Sequence, residues 1–278
     1  MKSRALSRFR RNKVAVASGV VVTGFVVMAV FAPWLAPFGP LQQDLVNNYA
    51  GPSLEHPLGT DELGRDTLSR LLYGSRVSLG IAVSSVIIGV FVGAVLGLVA
   101  AYSGGVVDSV IMRVMDVMLA LPGILLGIAI VVVLGNGVIN TVIAVAVFSV
   151  PTFARLVRGS ALAVLQLDYI MASRGLGASG VRIVLAHVVP NSLTPLIVQS
   201  TLQLGVAILI ASGLSFLGLG VQPPNPEWGA MLSKGRELVR STPVAAFAPG
   251  MAITVLVLSF SLLGDGLRDA LDPKLKHR

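Results

Sequence analysis

Five long stretches without any Asp, Glu, Lys or Arg constrain the fold of this 278-residue chain more than any other feature. These stretches are 14–43, 77–107, 117–154, 183–226 and 241–264. A helix needs about 20 residues to cross the hydrocarbon layer of a bilayer, and every stretch is at least that long. Charged residues make up only 12% of the chain and hydrophobic residues 54%, which is unlike a water-soluble domain. The sequence therefore predicts an integral membrane protein.

The charge-free stretches divide into six predicted spans. The third stretch would be about 57 Å long as one helix, and the Gly-Asn-Gly sequence at 135–137 is typical of a turn. In the fourth stretch, we expect Pro190, Asn191 and Pro195 to break the chain before the span begins. The predicted spans are 14–36, 77–101, 117–134, 138–157, 194–218 and 245–265. The predicted fold class is all-α integral membrane, with six transmembrane helices.

The positions of Lys and Arg predict the orientation in the membrane. If the basic tail 1–13 is cytoplasmic, six spans place 15 of the 21 basic residues on the cytoplasmic side, when Arg155 at the end of the fourth span is counted with them. The cytoplasmic segments are then 1–13, 102–116, 158–193 and 266–278, and the long extracytoplasmic loops are 37–76 and 219–244. This asymmetry accounts for the net charge of +8 without a nucleic-acid partner. The apolar run from Val14 to Phe31 exceeds the core of a signal peptide, so we expect an uncleaved first span, with a cleaved leader as the alternative.

The cytoplasmic segment 168–191 has the pattern of two short helices joined at 175–180. Ser179 is a plausible N-cap for the second of them. Two interpretations remain open on periodicity alone. The segment could be an amphipathic connector lying on the membrane surface, or it could be a docking element for a cytoplasmic partner.

The same segment resembles the cytoplasmic EAA loop of bacterial ABC-importer permeases. The positions of that motif read Met171-Ala172-Ser173, then Gly177, then His187 to Pro190, so that Met replaces the acid and Asp168 lies three residues earlier. The resemblance implies that this segment couples the permease to an ATPase. The expected coupling residues are Asp168, Met171, Ala172, Ser173, Arg174, Gly177, Arg182, His187 and Pro190.

Four further stretches, 8–19, 56–80, 214–232 and 263–274, are similar to the peptide and nickel permease family, on its dipeptide/oligopeptide "C" side. The resemblance implies a type I ABC-importer fold with both termini cytoplasmic and the import of di- or oligopeptides across the cytoplasmic membrane. It also implies a paralogous permease subunit, one or two ATPase subunits that bind ATP and Mg, and an extracytoplasmic binding protein that delivers the peptide. Nickel chelates or another small ligand such as haem are the alternative substrates.

No catalytic or metal site is expected in this chain, and no cofactor. The G-x-x-x-x-G-K-[ST] phosphate loop is absent from the sequence, so we expect ATP to be hydrolysed by partners. His56, His187 and His277 have no second ligand at metal-binding spacing. A self-sufficient secondary transporter would carry ionisable residues at mid-span, and an intramembrane enzyme would carry a Ser/Lys, paired-Asp or His-rich site there. The charge-free stretches argue against both.

Polar residues in the fifth span and in the outer loops have two interpretations each. Gln199 and Gln203 lie one helical turn apart and either form interhelical hydrogen bonds or line the translocation path. The extracytoplasmic residues are Asp61, Glu62, Arg65, Asp66 and Trp228. The acidic group among them predicts a capped helix start with internal salt bridges, and all five are candidates for docking the binding protein. Gly89, Gly93 and Gly97 predict close helix packing.

Overall fold

The structure, a computed structural model that describes residues 2–239 and 242–271, is built from helices. The helices are α1 (Lys2–Arg11), α2 (Lys13–Leu35), α3 (Thr67–Ser103), α4 (Gly105–Ala120), α5 (Gly123–Leu134), α6 (Val138–Leu165), α7 (Asp168–Gly175), α8 (Gly180–Ile183), α9 (Val189–Phe216), α10 (Trp228–Gly235) and α11 (Val244–Leu271). The all-α fold class is as predicted. The end of the predicted C-terminal tail, with His277, lies outside the described residues.

Five helical segments of the described chain are long and apolar enough to cross a membrane: α2, α3, α6, α11 and the continuous helix Gly180–Phe216. Together, α4 and α5 pass the same test as a pair, but they are bent by 98° at the break between them. Six spans therefore result if the bent pair counts as one.

The third predicted span, 117–134, is wrong as a single straight helix. Residues 117–120 belong to α4, and the chain breaks before α5. Leu121 has extended φ/ψ of −85° and 134°, as a residue that precedes a proline prefers, and Pro122 N-caps α5. The proline near the start of this span thus ends one helix and begins another at a large angle.

The predicted break before the fifth span is also wrong, because the helix runs without interruption from Gly180 to Phe216. A π-helical turn at Val184–Val188 lies just before Pro190, and the Val189 N–H bonds to the Val184 carbonyl. This wider turn changes the hydrogen-bond register where the proline ring enters the helix. The prolines are therefore accommodated inside one element that joins α8 directly to α9.

Other helix ends differ from the prediction by smaller amounts. Helix α3, which contains the second predicted span, begins at Thr67 rather than at 77. The Asp66 carboxylate accepts a hydrogen bond from the Ser69 N–H at 2.7 Å and caps the helix there. At their C-terminal ends, α6 and α11 extend to Leu165 and Leu271, beyond the apolar segments from which the spans were predicted. A membrane span is only the apolar part of a longer helix in each case.

Close packing of α3 against α6 forms the centre of the bundle. A β-carbon at Gly93 would lie 2.7 Å from the Phe153 β-carbon and 2.7 Å from the Val150 carbonyl oxygen. A β-carbon at Gly89 would likewise lie 2.7 Å from the Ser149 β-carbon, and one at Gly97 would overlap the Ala154 carbonyl oxygen of α6. The glycine face therefore lets the two helix backbones approach closely, which confirms the packing prediction.

Candidate functional site

The candidate coupling segment, residues 168–190, consists of α7, a turn, α8 and the π-helical turn that leads into α9. Gly177 has a φ of +84°, so the turn uses a backbone conformation that favours glycine. The Ser179 side chain accepts a hydrogen bond from the Arg182 N–H at 3.4 Å and caps α8. The two short helices and the Ser179 cap are as predicted.

The inner face of the coupling segment packs onto the ends of α3 and α6. Ile170, Ile183 and Val188 are fully buried there. They form one apolar cluster with Ala101, Ala161 and Val164. The segment is thereby fixed to the bundle and can transmit a displacement to it.

The outer face of the same segment is apolar and exposed. We call it the coupling face; it consists of Met171, Leu176, Val181 and Leu185, with Leu176 89% exposed. The side chains of Arg174 and Arg182 are exposed beside it. Exposed apolar residues with basic residues close to them in sequence have the composition of a protein–protein contact rather than that of a solvated loop.

The remaining predicted coupling residues have local roles in this segment. The Ser173 hydroxyl donates to the Tyr169 carbonyl at 2.8 Å, within α7. The His187 ring packs edge-on against Tyr169, with 5.6 Å between the ring centres. Asp168, Ala172 and Pro190 are exposed.

Two ion pairs near this end of the bundle, which the sequence analysis did not single out, hold α4 to α6. Both Arg158 nitrogens Nε and Nη2 contact the Asp108 carboxylate at 2.5 Å, and Arg155 pairs with Asp116. The two residues of each pair are far apart in the sequence, so their opposite charges are the only sequence signal for the pairing. The pairs hold α4 against α6, the helix that precedes the coupling segment.

The two glutamines of the predicted translocation path lie in different surroundings. Gln203 is only 4% exposed, and its Nε2 donates to the Ser149 hydroxyl of α6 at 3.0 Å. Gln199 is half-buried and lines a groove of about 370 Å³. The contact of Gln203 is thus interhelical, whereas Gln199 faces open space.

The acidic group of the first outer loop forms the start of α3. Arg65 contacts Asp61 at 2.7 Å and Glu62 at 3.2 Å, while His56 contacts Asp66 at 3.0 Å. With the Asp66 cap described above, these contacts confirm the predicted capped helix start with internal salt bridges. Arg65 and Asp66 are buried, which leaves Glu62 as the most accessible carboxylate of the group.

Trp228 does not lie on a docking surface, which corrects that expectation. The residue is fully buried, its Nε1 donates to the Leu71 carbonyl at 3.0 Å, and its ring packs edge-on against Phe25. A large indole in the outer loop segment gains more by filling the space between α2, α3 and α10 than by remaining in water.

Glu227, which the sequence analysis did not single out, is fully buried beside Trp228. Its carboxylate accepts hydrogen bonds from the Ala230 N–H at 2.8 Å and from the Ser78 hydroxyl at 3.2 Å. Burial raises the pKa of Glu227 above the ordinary range, against the lowering effect of these donors. Its position directly before α10 is the sequence signal for a capping role. Glu227 therefore joins α10 to the N-terminal half of α3.

Two family models cover nearly the whole chain. The model of the binding-protein-dependent transport system inner membrane component matches residues 71–277. The chain belongs to this family. The N-terminal transmembrane domain of oligopeptide transport permease C matches residues 2–52. The chain is thus a multi-pass permease of the inner membrane, as its resemblance implied, and its family is one of transport components.

Relatives of this permease match over nearly their full length. The glutathione transport system permease protein GsiD of Pectobacterium atrosepticum is 48% identical over 97% of this chain and 90% of its own. The dipeptide transport system permease protein DppC of Alkalihalophilus pseudofirmus is 45% identical over 98% of this chain and 90% of its own.

The fold has a counterpart among solved structures. A chain of the MetNI methionine ABC transporter in an inward-facing conformation superposes with a TM-score of 0.60 at 18% identity. The match covers 74% of this permease and 98% of that chain. The likeness establishes the type I ABC-importer permease fold that was predicted.

Proposed function

We propose that this permease is one of two paralogous membrane subunits of an ATP-driven importer of di- and oligopeptides. Relatives named for glutathione and for dipeptides, at 48% and 45% identity, support a peptide substrate. An extracytoplasmic binding protein delivers the peptide, and ATPase subunits with their ATP and Mg lie on the cytoplasmic side. The N- and C-termini are cytoplasmic in this arrangement, on the side that carries most of the Lys and Arg residues.

The observation that carries the coupling role is the two-sided character of segment 168–190. Its inner face is buried against α3 and α6, while the coupling face is apolar and exposed. An ATPase that binds the coupling face can push on a segment that is already fixed to the bundle. Because α8 continues into α9 as one helix from Gly180 to Phe216, a displacement of the segment passes directly into a span. Such rigid-body motion is the usual way in which membrane transporters expose a site to alternate sides.

Uptake by the reconstituted complex tests this function. The permease pair, its ATPases and its binding protein are placed in vesicles, and ATP-dependent accumulation of a radiolabelled dipeptide is compared with that of a nickel chelate and of haem. We expect the dipeptide to accumulate. Vesicles whose ATPases lack the phosphate-loop lysine serve as the control and should show no accumulation. Accumulation of the chelate or haem alone would contradict the peptide assignment.

A further inference from the structure

The groove that Gln199 lines opens at the end of the bundle that carries the coupling segment. Thr194, one of its lining residues, lies one helical turn beyond Pro190, where that segment ends. The lining residues come from α6, α9 and α11: Leu156, Thr194, Pro195, Val198, Gln199, Leu202, Arg268 and Leu271. The volume of about 370 Å³ lies within the range of small-molecule sites.

Arg268 is the one charged side chain among these lining residues. It lies in the last turn of α11 and is exposed. Its neighbours on α11 include Asp265 and Asp269, but within residues 2–239 and 242–271 Arg268 makes no ion pair. Among the residues that the structure describes, its guanidinium therefore has no carboxylate partner that would compete with an anion in the groove.

The composition of the groove matches an anionic group attached to an apolar body. A guanidinium presents parallel N–H donors with the geometry of a carboxylate, and such paired contacts are stronger than neutral hydrogen bonds. The side-chain amide of Gln199 can hydrogen bond to a peptide group, and Leu156, Val198 and Leu202 provide an apolar wall. Every peptide with a free C-terminus combines a carboxylate, amides and side chains in this way.

We infer that Arg268 binds the C-terminal carboxylate of a peptide in this groove, with the Gln199 amide bonded to the peptide backbone. The inference rests on the proposed import of peptides. It adds to that proposal a peptide-binding site on this chain. Because the carboxylate and the backbone are common to all peptides, the site accepts different side chains. It holds the peptide at the end of the bundle where the coupling segment moves.

Thiol protection measures this binding without the binding protein. The chain has no cysteine, so Leu156→Cys places a single thiol on this chain in the groove. Labelling by a maleimide is followed on the band of this subunit in the assembled complex, with L-alanyl-L-phenylalanine or its C-terminal amide added. At a peptide concentration about ten times its Kd, labelling should slow about tenfold, whereas the amide should protect weakly. A thiol at Leu167, which is exposed outside the groove, should show no protection by either compound.

Variants of Arg268 decide whether the guanidinium is responsible. Arg268→Gln should raise the peptide concentration for half-protection about tenfold, which corresponds to about 1.4 kcal/mol, and should remove the preference for the free acid over the amide. Arg268→Lys should retain part of that preference. Arg113→Gln, which removes an exposed charge from α4, should leave the protection unchanged.

Several results would overturn the inference. Equal protection by the free acid and the amide in the Leu156→Cys subunit that retains Arg268 would show that no carboxylate is bound. This result does not depend on whether an Arg268 variant folds. Protection that depends on anionic phospholipid rather than on peptide would assign the groove to lipid. The uptake assay keeps the two proposals apart, because peptide accumulation without carboxylate-dependent protection would refute the site and leave the proposed function intact.

Discussion

The hydroxyl of Tyr102, near the end of α3, occupies the space that a β-carbon of Gly180 would fill. A side chain at residue 180 would therefore displace the Tyr102 side chain or the coupling segment. This contact lies beside the cluster of Ile170 and Ile183 that fixes the segment to the bundle.

Gly180→Ala is expected to reduce coupling between ATP hydrolysis and uptake. The added methyl group would meet the Tyr102 hydroxyl, so the Tyr102 side chain and the segment must move apart, at a cost of up to about 1–3 kcal/mol. The measurement is the ratio of peptide transported to ATP hydrolysed in reconstituted vesicles. Gly175→Ala is the matched control, because nothing lies within 4 Å of its β-carbon position. The double variant Gly180→Ala/Tyr102→Ala should recover the ratio, and a failure to recover would show that the contact is not the cause.

Gly177→Val is expected to impair transport more than Arg174→Ala. At a φ of +84° a β-branched residue introduces about 1–3 kcal/mol of strain and alters the turn between α7 and α8. Gly177→Asn should be milder, since Asn tolerates this conformation. Loss of one exposed charge at Arg174 is worth only about 0–1 kcal/mol. Transport by the Gly177→Val complex at the normal rate would mean that energy enters through another element.

Local chemistry explains which features of the fold were predictable from the sequence. The glycine face of α3 and a capped helix start near the acidic group were predicted because each depends on residue types close together in the sequence. The break expected at Pro190 was wrong because the π-helical turn before it depends on how the segment packs, which proline content does not reveal. Pro122 signals a break in the helix, but the residue type alone does not give the 98° angle between α4 and α5.

Among the site residues, too, features set by nearby sequence were predictable and features set by tertiary packing were not. The coupling role of segment 168–190 is a prediction from its motif, and its short helices were predicted from periodicity. The different surroundings of Gln199 and Gln203 were not predictable, because one helical turn separates a buried contact with Ser149 from an open groove. Trp228 was misplaced because an aromatic residue in a polar loop gives no sequence signal of the pocket that buries it.

Single leucine replacements should separate the two glutamines. Gln203→Leu removes the hydrogen bond to Ser149 and leaves that buried hydroxyl with one partner fewer, which costs about 1–3 kcal/mol of stability. Gln199→Leu should leave the thermal stability of the complex unchanged and lower peptide uptake. Thermal unfolding in detergent and vesicle uptake are measured on both variants. Equal loss of stability in both would favour a structural role for the pair.

Gly93→Ala should destabilise the bundle, because its β-carbon would meet both the Phe153 side chain and the Val150 carbonyl at 2.7 Å. A loss of about 1–3 kcal/mol is expected from overpacking at a backbone that cannot move aside. Gly80→Ala lies on the same helix with nothing within 4 Å and should be neutral or slightly stabilising. Unfolding midpoints of the two variants, compared in the same detergent, measure the difference; equal midpoints would contradict the close α3–α6 contact.

Site-directed cross-linking tests the central claim, that the coupling face receives an ATPase, most directly. Leu176→Cys places a thiol at the exposed centre of that face, and Leu54→Cys places one at an equally exposed position of the first outer loop. A short thiol-to-amine cross-linker is applied to the assembled complex in inside-out vesicles. The account predicts an adduct between this subunit and the ATPase from Leu176→Cys, and none from Leu54→Cys. An ATPase adduct from Leu54→Cys, or its absence from Leu176→Cys in a complex that transports peptide, would contradict the account.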